Sequence, residues 1–312
     1  MRRVLLIGSG EVGAKHATAL LSTEGMTLVG VADPSPVVAP PAGVPTYARW
    51  ETALEVLDPD VVVVATPPGT ALRAARAAAG RGASVLVEKP VTLDPAELSP
   101  VPVDQLIFVA FQPHFAPGVP QLLAETPAAR RAEVRLVCRR DRSYYRSWRT
   151  RYATAGGILH QQAIHGVALA LRLLPSSPVS SCTAQVYRVR RWAESEDRIS
   201  ATTLFDNGTV LTVDARVDSV DEPRCQEVTL HLEDGRRLHV RGQNLEAGLG
   251  DPSAAPADLE LRRAMYQALP TPVGEGPRHP SLFPLAQLGR TLEVIAHAYR
   301  TAHTAPQAGP AA

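Results

Sequence analysis

Residues 4–13 read Val4-Leu5-Leu6-Ile7-Gly8-Ser9-Gly10-Glu11-Val12-Gly13, an apolar run that enters three glycines at fixed spacing. A short apolar run without alternation is a strand buried on both faces. The stretch Val12–Leu21 carries helical periodicity, so the glycines lie between a strand and a helix. Each glycine then has a task. Gly8 makes the tight turn, Gly10 leaves the backbone open to a phosphate, and Gly13 lets the helix pack closely on the strand. Asp33 follows Gly13 by twenty residues and closes a second apolar run, Thr27–Ala32.

An acidic residue at that place accepts hydrogen bonds from ribose hydroxyls and repels a 2′-phosphate. The pattern therefore predicts a dinucleotide site on Gly8, Ser9, Gly10, Glu11, Val12, Gly13 and Asp33, with NAD(H) favoured. NADP(H) stays open, because Ser35 and Arg49 are within reach of a phosphate if the loop between them bends.

Outward from this unit the alternation continues. Arg49–Leu57 reads as a helix, Val61–Ala65 as a buried strand, Thr70–Ala79 as an alanine-rich helix, and Ser84–Val87 and Leu106–Phe111 as further strands. That is a doubly wound α/β pattern, a Rossmann-type parallel sheet over residues 1–115. Beyond it the period changes to two: Glu133–Arg139, Cys182–Arg190, Ile199–Leu204, Val210–Arg216, Glu227–Leu232 and Arg237–Arg241 alternate apolar and polar residues. Asn207-Gly208 and Asp234-Gly235 supply tight hairpin turns between pairs of them. Residues 116–284 are thus expected to form an α+β domain with an open, mainly antiparallel sheet that binds substrate and carries oligomerisation. A final amphipathic helix over 285–301 is expected to pack back on the first domain.

Bulk properties narrow the class. A net charge of +1 over 312 residues gives no field that implies nucleic acid or an anionic membrane. No apolar run is long enough for a membrane span. Cys138, Cys182 and Cys225 are odd in number and widely spaced, which reads as reduced thiols of a cytoplasmic protein, with no metal site.

Three further stretches carry chemistry. Thr66 and Pro67 follow the Val61–Ala65 strand, and carboxyl ends of parallel strands are where ligands sit. Glu88-Lys89-Pro90 follows the Ser84–Val87 strand on the same edge of the sheet. Of 32 basic residues only Lys15 and Lys89 are lysines. An ammonium can give up its proton where a guanidinium cannot, so a lysine at this edge is a candidate acid or base. A solvated surface lysine is the plainer alternative. The third stretch is Gly156-Gly157-Ile158-Leu159-His160-Gln161-Gln162-Ala163-Ile164-His165. Gln161 and His165, four apart, share a helix face, whereas His160 and His165 do not, which speaks against a zinc pair. Before it lies an aromatic, arginine-rich loop with Tyr144, Tyr145, Arg146, Trp148 and Arg149.

The order of these motifs resembles the Gfo/Idh/MocA oxidoreductase family, and the likeness extends to Ser195–Val210 and to Gly289–Ala302. The resemblance implies hydride transfer between a nicotinamide and a hydroxyl or carbonyl carbon of a sugar, nucleotide sugar or cyclitol. It implies Lys89 and His165 as the catalytic pair, and Thr66, Pro67, Glu88 and Lys89 beside the cofactor. Tyr144, Tyr145, Arg146, Trp148, Arg149, Gln161 and His165 are then the candidate substrate contacts, and a homodimer or homotetramer through the second sheet is expected. Where the family often has an aspartate four residues before the histidine, this chain has Gln161, which cannot take a proton. A keto-sugar or imine reductase, and a non-catalytic dinucleotide-binding member, remain the alternatives.

Overall fold

The structure, a computed structural model, describes residues 1–36, 42–190, 192–241, 244–246, 258–270 and 278–304. The chain divides into two units, Met1–Ala116 with Ala255–Leu288, and Pro117–Ala254 with Gly289–Ala312.

In the first unit the elements run β1 (Arg2–Ile7), α1 (Glu11–Leu21), β2 (Met26–Ala32), β3 (Thr46–Tyr47), α2 (Trp50–Leu57), β4 (Val61–Val64), α3 (Pro68–Ala79), β5 (Ser84–Val87) and β6 (Ile107–Val109). They build a parallel sheet in the order β6-β5-β4-β1-β2-β3. The order steps outward both ways from β1, as in a doubly wound sheet. Val61–Val64 and Val85–Val87 have essentially no exposed surface, which is why their sequences do not alternate.

Two later segments complete this unit. The strand Phe283–Pro284 pairs antiparallel with β6. The helix Asp258–Ala268 lays Met265 and Tyr266 into the cluster formed by Val4, Leu6, Leu20 and Phe108. The expectation that residues 116–284 belong to one substrate domain is corrected here. This helix carries an apolar stripe that finds its partners on α1 and β1.

The second unit begins with α4 (Val119–Glu125) and β7 (Ala129–Val137), then α5 (Tyr152–Ala155) and α6 (Ile164–Leu173). Strands β8 (Val179–Tyr187), β9 (Arg198–Phe205), β10 (Val210–Arg216), β11 (Cys225–Leu232), β12 (Arg237–Arg241) and β13 (Asn244–Glu246) follow. The sheet order is β13-β12-β11-β7-β10-β9-β8, with Ala302–Thr304 as the outermost strand beside β8. Most pairs are antiparallel, but the central neighbours β7 and β10 run parallel, and so do β8 and Ala302–Thr304. Helix α6 covers one face so closely that a Cβ on Gly166 would stand 2.7 Å from Val134.

Both hairpin glycines occupy the left-handed region, Gly208 at φ +79° and Gly235 at +85°. The loops nevertheless hold three residues rather than two. Phe205 bonds Thr209 across the first and Leu232 bonds Arg236 across the second. A three-residue turn ending on a left-handed glycine gives the twist that the flanking strands need.

The last helix, Leu285–Thr301, does not stay with the first unit. From Gly289 onward it belongs to the second, where Arg290 donates to the carbonyls of Leu171 (2.7 Å) and Pro175 (3.0 Å). The Leu171 carbonyl lies in the last turn of α6, where the helix offers no further N–H, and Pro175 follows just beyond it, so a guanidinium caps this end.

Candidate active site

In the first unit the hydrogen-bond ladder brings three strand ends to one edge. Gly8 N donates to Ala32 O (2.8 Å), Ala65 N to Ile7 O (2.7 Å) and Glu88 N to Val64 O (2.8 Å). The glycine turn, Thr66-Pro67 and Glu88-Lys89 therefore leave the sheet side by side, as the sequence predicts. Gly8 has φ +97°, and a Cβ there would lie 2.5 Å from Ala65 O. A Cβ on Gly13 would run into the Gly8 carbonyl, so the helix–strand approach is too close for any side chain. Gly10 differs: its Cβ position has nothing within 4 Å, which is the open ground a pyrophosphate needs.

Asp33, half-buried, accepts from Ser9 N (2.7 Å) and from Ser35 N (2.8 Å), so its carboxylate is fixed at the mouth of the glycine turn. Each oxygen accepts one of these bonds and retains capacity for ribose hydroxyls. The Oγ atoms of Ser9 and Thr66 are buried with no hydrogen-bond partner among the described residues. Two hydroxyls left over beside an open glycine turn and a helix N-terminus fit a dinucleotide. Glu11 points to solvent, so its contribution there is the backbone N–H at the start of α1.

Glu88 departs from its predicted role. Only 6% exposed, it turns inward, where His16 Nε2 (2.9 Å) and Arg262 Nη1 (3.0 Å) meet its Oε1. With Tyr266 O–H donating to His16 Nδ1 (2.5 Å), His16 Nε2–H donates to Glu88, and Arg262 Nη1, 2.8 Å from the same nitrogen, gives its proton to the carboxylate. Arg262 also pairs with Asp258 at 3.0 Å. Burial alone pushes the Glu88 carboxyl up, but the His16 bond and the Arg262 charge prevail and hold it well below the usual carboxylate range. Burial pushes His16 down, so it is neutral. Glu88 thus anchors the end of β5, and only its backbone faces the edge where Lys89, half-buried, follows.

In the second unit the glycine pair is forced by what surrounds it. Glu196, 1% exposed, accepts from Ile158 N (2.8 Å) and from Tyr299 O–H (2.6 Å). Leu159 N donates to Tyr299 Oη (3.0 Å). A carboxylate and a phenol therefore cap the N–H groups that open the helix. The first turn, Leu159–Ala163, is wound as a π-helix before α6 begins. Such turns occur mostly as single insertions in α-helices, frequently at functional sites. His160 stacks on Tyr299, with centroids 5.3 Å apart, and burial lowers its pKa to about 4. A Cβ on Gly157 would reach the Glu196 carboxylate and the Tyr299 hydroxyl, and one on Gly156, at φ +66°, would strike the His160 ring.

Gly157→Ala is accordingly expected to cost about 1–3 kcal/mol in stability by overpacking, read from the midpoint of urea unfolding. An unchanged midpoint would mean that the Glu196–Tyr299 cap yields freely.

The wider turn also alters the predicted substrate contacts. Gln161 is 3% exposed and its Nε2 donates to Gly156 O (2.9 Å), so it braces its own turn. Tyr145, 5% exposed, lies under the Arg190 guanidinium (4.4 Å) and edge-on to Trp192 (5.3 Å). Both side chains are therefore nearly fully buried. Tyr144, Trp148, Arg149 and His165 are half-buried and Arg146 is exposed, so these five remain accessible. Sequence reasoning passed over Glu196 and Tyr299, although their motifs were in view. Asp197, fully buried, was passed over too: it accepts from Val189 N (2.6 Å) and Arg190 N (2.9 Å). Among the described residues no group of three His, Cys, Asp or Glu side chains is gathered as a metal would require, and no helix is long and apolar enough to cross a membrane.

Comparison with known proteins places the chain in a family. Residues 2–101 match the "Oxidoreductase family, NAD-binding Rossmann fold" of the Gfo/Idh/MocA proteins, and residues 122–243 match that family's C-terminal domain. The chain belongs to the Gfo/Idh/MocA oxidoreductase family, and its first unit is the family's NAD-binding domain. Inositol 2-dehydrogenase of Rhizobium meliloti is 29% identical over 193 residues, 58% of this chain and 58% of its own length. The WlbA dehydrogenase of Bordetella pertussis, solved with NADH and UDP-GlcNAcA, has a TM-score of 0.74 at 20% identity and covers 96% of each chain. A myo-inositol dehydrogenase of Corynebacterium glutamicum has a TM-score of 0.73 at 18% identity, over 97% of this chain and 96% of its own. At such identity the two structures share the fold.

Proposed function

We propose that the chain is an NAD(H)-dependent oxidoreductase acting at a CH–OH or carbonyl carbon of a sugar, nucleotide sugar or cyclitol. The observation that carries this reading is the single sheet edge on which an open glycine turn, a fixed Asp33 and Lys89 stand together. Inositol 2-dehydrogenase as a relative, and a solved neighbour holding a nucleotide sugar, support the substrate class. A bound nicotinamide would supply or receive the hydride. The chain's own residues do the rest. Gly8, Ser9, Gly10 and Gly13 with the start of α1 hold the phosphates, and Asp33 holds the ribose. Thr66 and Pro67 flank the cofactor. Lys89 moves the proton of the substrate hydroxyl, and the family resemblance proposes His165 as a catalytic residue of the second unit. Screening sugars, cyclitols and nucleotide sugars by NADH absorbance tests the reading, and no turnover with any class would overturn it.

The preference for NADH over NADPH rests on Asp33. Asp33→Asn is expected to weaken NADH by about tenfold, since hydrogen bonds to a charged group are worth ~1.5–3 kcal/mol. It should also narrow the gap to NADPH by removing the repulsion. Titrating both cofactors by fluorescence checks this; a parent enzyme that prefers NADPH would refute the role given to Asp33.

Two broader features go with the proposal. The free thiols Cys138, Cys182 and Cys225 suit a reducing, cytoplasmic setting. The outer face of the second sheet suits self-association into a dimer or tetramer, which sedimentation would measure.

A further inference from the structure

Several arginines of the second unit have an acidic partner. Arg131 pairs with Glu133, Arg135 and Arg216 with Glu222, Arg190 with Asp197, and Arg198 with Asp218. The loop before the glycine pair is the unit's densest run of arginine. Residues 139–151 hold six arginines and one aspartate in a chain whose net charge is +1. That aspartate, Asp141, is taken up locally by the backbone of Ser143 (2.9 Å) and Tyr144 (3.3 Å).

Two of these arginines are held in place. The Arg140 guanidinium lies 4.7 Å and that of Arg149 4.9 Å from the Tyr144 ring centroid, and Arg149 also lies 4.7 Å from Trp148. Arg140 Nη2 donates to Gln162 Oε1 (2.8 Å), and Gln162 Nε2 donates to the Tyr144 hydroxyl. Gln162 sits in the π-wound turn, three residues before His165. Among the described residues neither guanidinium has a carboxylate in ion-pair range, and Arg140 Nε is buried without a partner. Two like charges held around one ring repel each other, and among the described residues no carboxylate stands in ion-pair range of either. Their orientation is bought by stacking and by Gln162, which leaves N–H donors for an incoming group.

We propose that Arg140 and Arg149 form an oxyanion-recognition site, and that the substrate is a sugar bearing a carboxylate or a phosphate. This rests on the dehydrogenase reading above and narrows its substrate class. A rigid guanidinium fork matches either oxyanion in bidentate fashion, which an ammonium does not.

The test uses the full chain with NADH present and three probes: D-glucose, D-glucuronate and D-glucose 6-phosphate, followed by calorimetry. One anionic probe is expected to bind at least about tenfold tighter than glucose, its identity telling carboxylate from phosphate. R140Q and R149Q should each lose about tenfold or more of that affinity, and R149K should fall between because it keeps charge without the fork. Arg81→Gln, which removes an exposed charge from the first unit, should change nothing. Should a glutamine variant not fold, R149K and the fall of parent affinity between low and high salt decide the matter. No binding of either anion, or equal binding of glucose, overturns the proposal. NADH affinity, measured separately in each variant, shows whether the dinucleotide reading stands regardless.

Discussion

Lys89→Met is expected to slow turnover by about 10²- to 10⁴-fold while leaving NADH affinity unchanged. Methionine keeps the length and apolar stem of lysine and removes only the group that can carry a proton. Lys89 follows β5 at the edge where the glycine turn also leaves the sheet, and it is half-buried. Its neighbour Glu88 cannot substitute as acid or base. That carboxylate is turned inward and held ionised by His16 and Arg262. Stopped-flow turnover and NADH titration on the same preparation separate the two effects. Turnover within threefold of the parent would remove Lys89 from the mechanism, and a parallel loss of NADH binding would make it a cofactor ligand instead.

Arg262→Met is expected to be the most destabilising single change, costing about 3–5 kcal/mol, because it leaves Glu88 buried without its permanent cation. Side-chain exposure at the pair is 6% for Arg262 and 8% for Glu88, so water offers little relief. The pH dependence follows from two shifts of the same sense. Glu88 is depressed below its unfolded value, so the stability it lends is full at neutral pH and is lost as pH falls. His16 is depressed too, and acid must protonate it in the unfolded chain first. The parent should therefore lose stability on acidification from below about pH 6.5 downward. Arg262→Met should begin lower and depend less steeply on pH in the acid range, as Glu88 loses the charge that depresses it. Urea midpoints from pH 4 to 8 measure both; equal slopes in parent and variant would show that Arg262 does not hold Glu88 ionised.

Much of this was legible in the chain because local rules decide it. Gly8, Gly10 and Gly13 have spacing that only a tight strand–helix turn uses, and Asp33 lies one strand away. Val61–Val64 cannot be anything but a strand buried on both faces. What was not legible depends on partners far away. Glu88, at the end of a strand, reads as a residue of the cleft until Arg262 arrives from 174 positions later. Tyr145 and Gln161 read as contacts because aromatics and amides beside a histidine suit a sugar, yet Arg190, Trp192 and the Gly156 carbonyl claim them. The π-wound turn has no signature in the helical period. Its signal was the glycine pair together with Glu196, which only the folded chain joins.

That Arg262 and the strand Phe283–Pro284 complete the first unit has a consequence for how the protein is born. A ribosome adding 5–20 residues per second takes roughly 10 to 35 s to travel from Glu88 to Arg262. During that interval the Glu88 carboxylate after β5 and the His16 imidazole on α1, both destined for the interior, have no guanidinium to receive them. The nucleotide-binding half, although synthesised first, is finished after nearly all of its companion has emerged. Its native state is reached by return of the chain, not in order of synthesis.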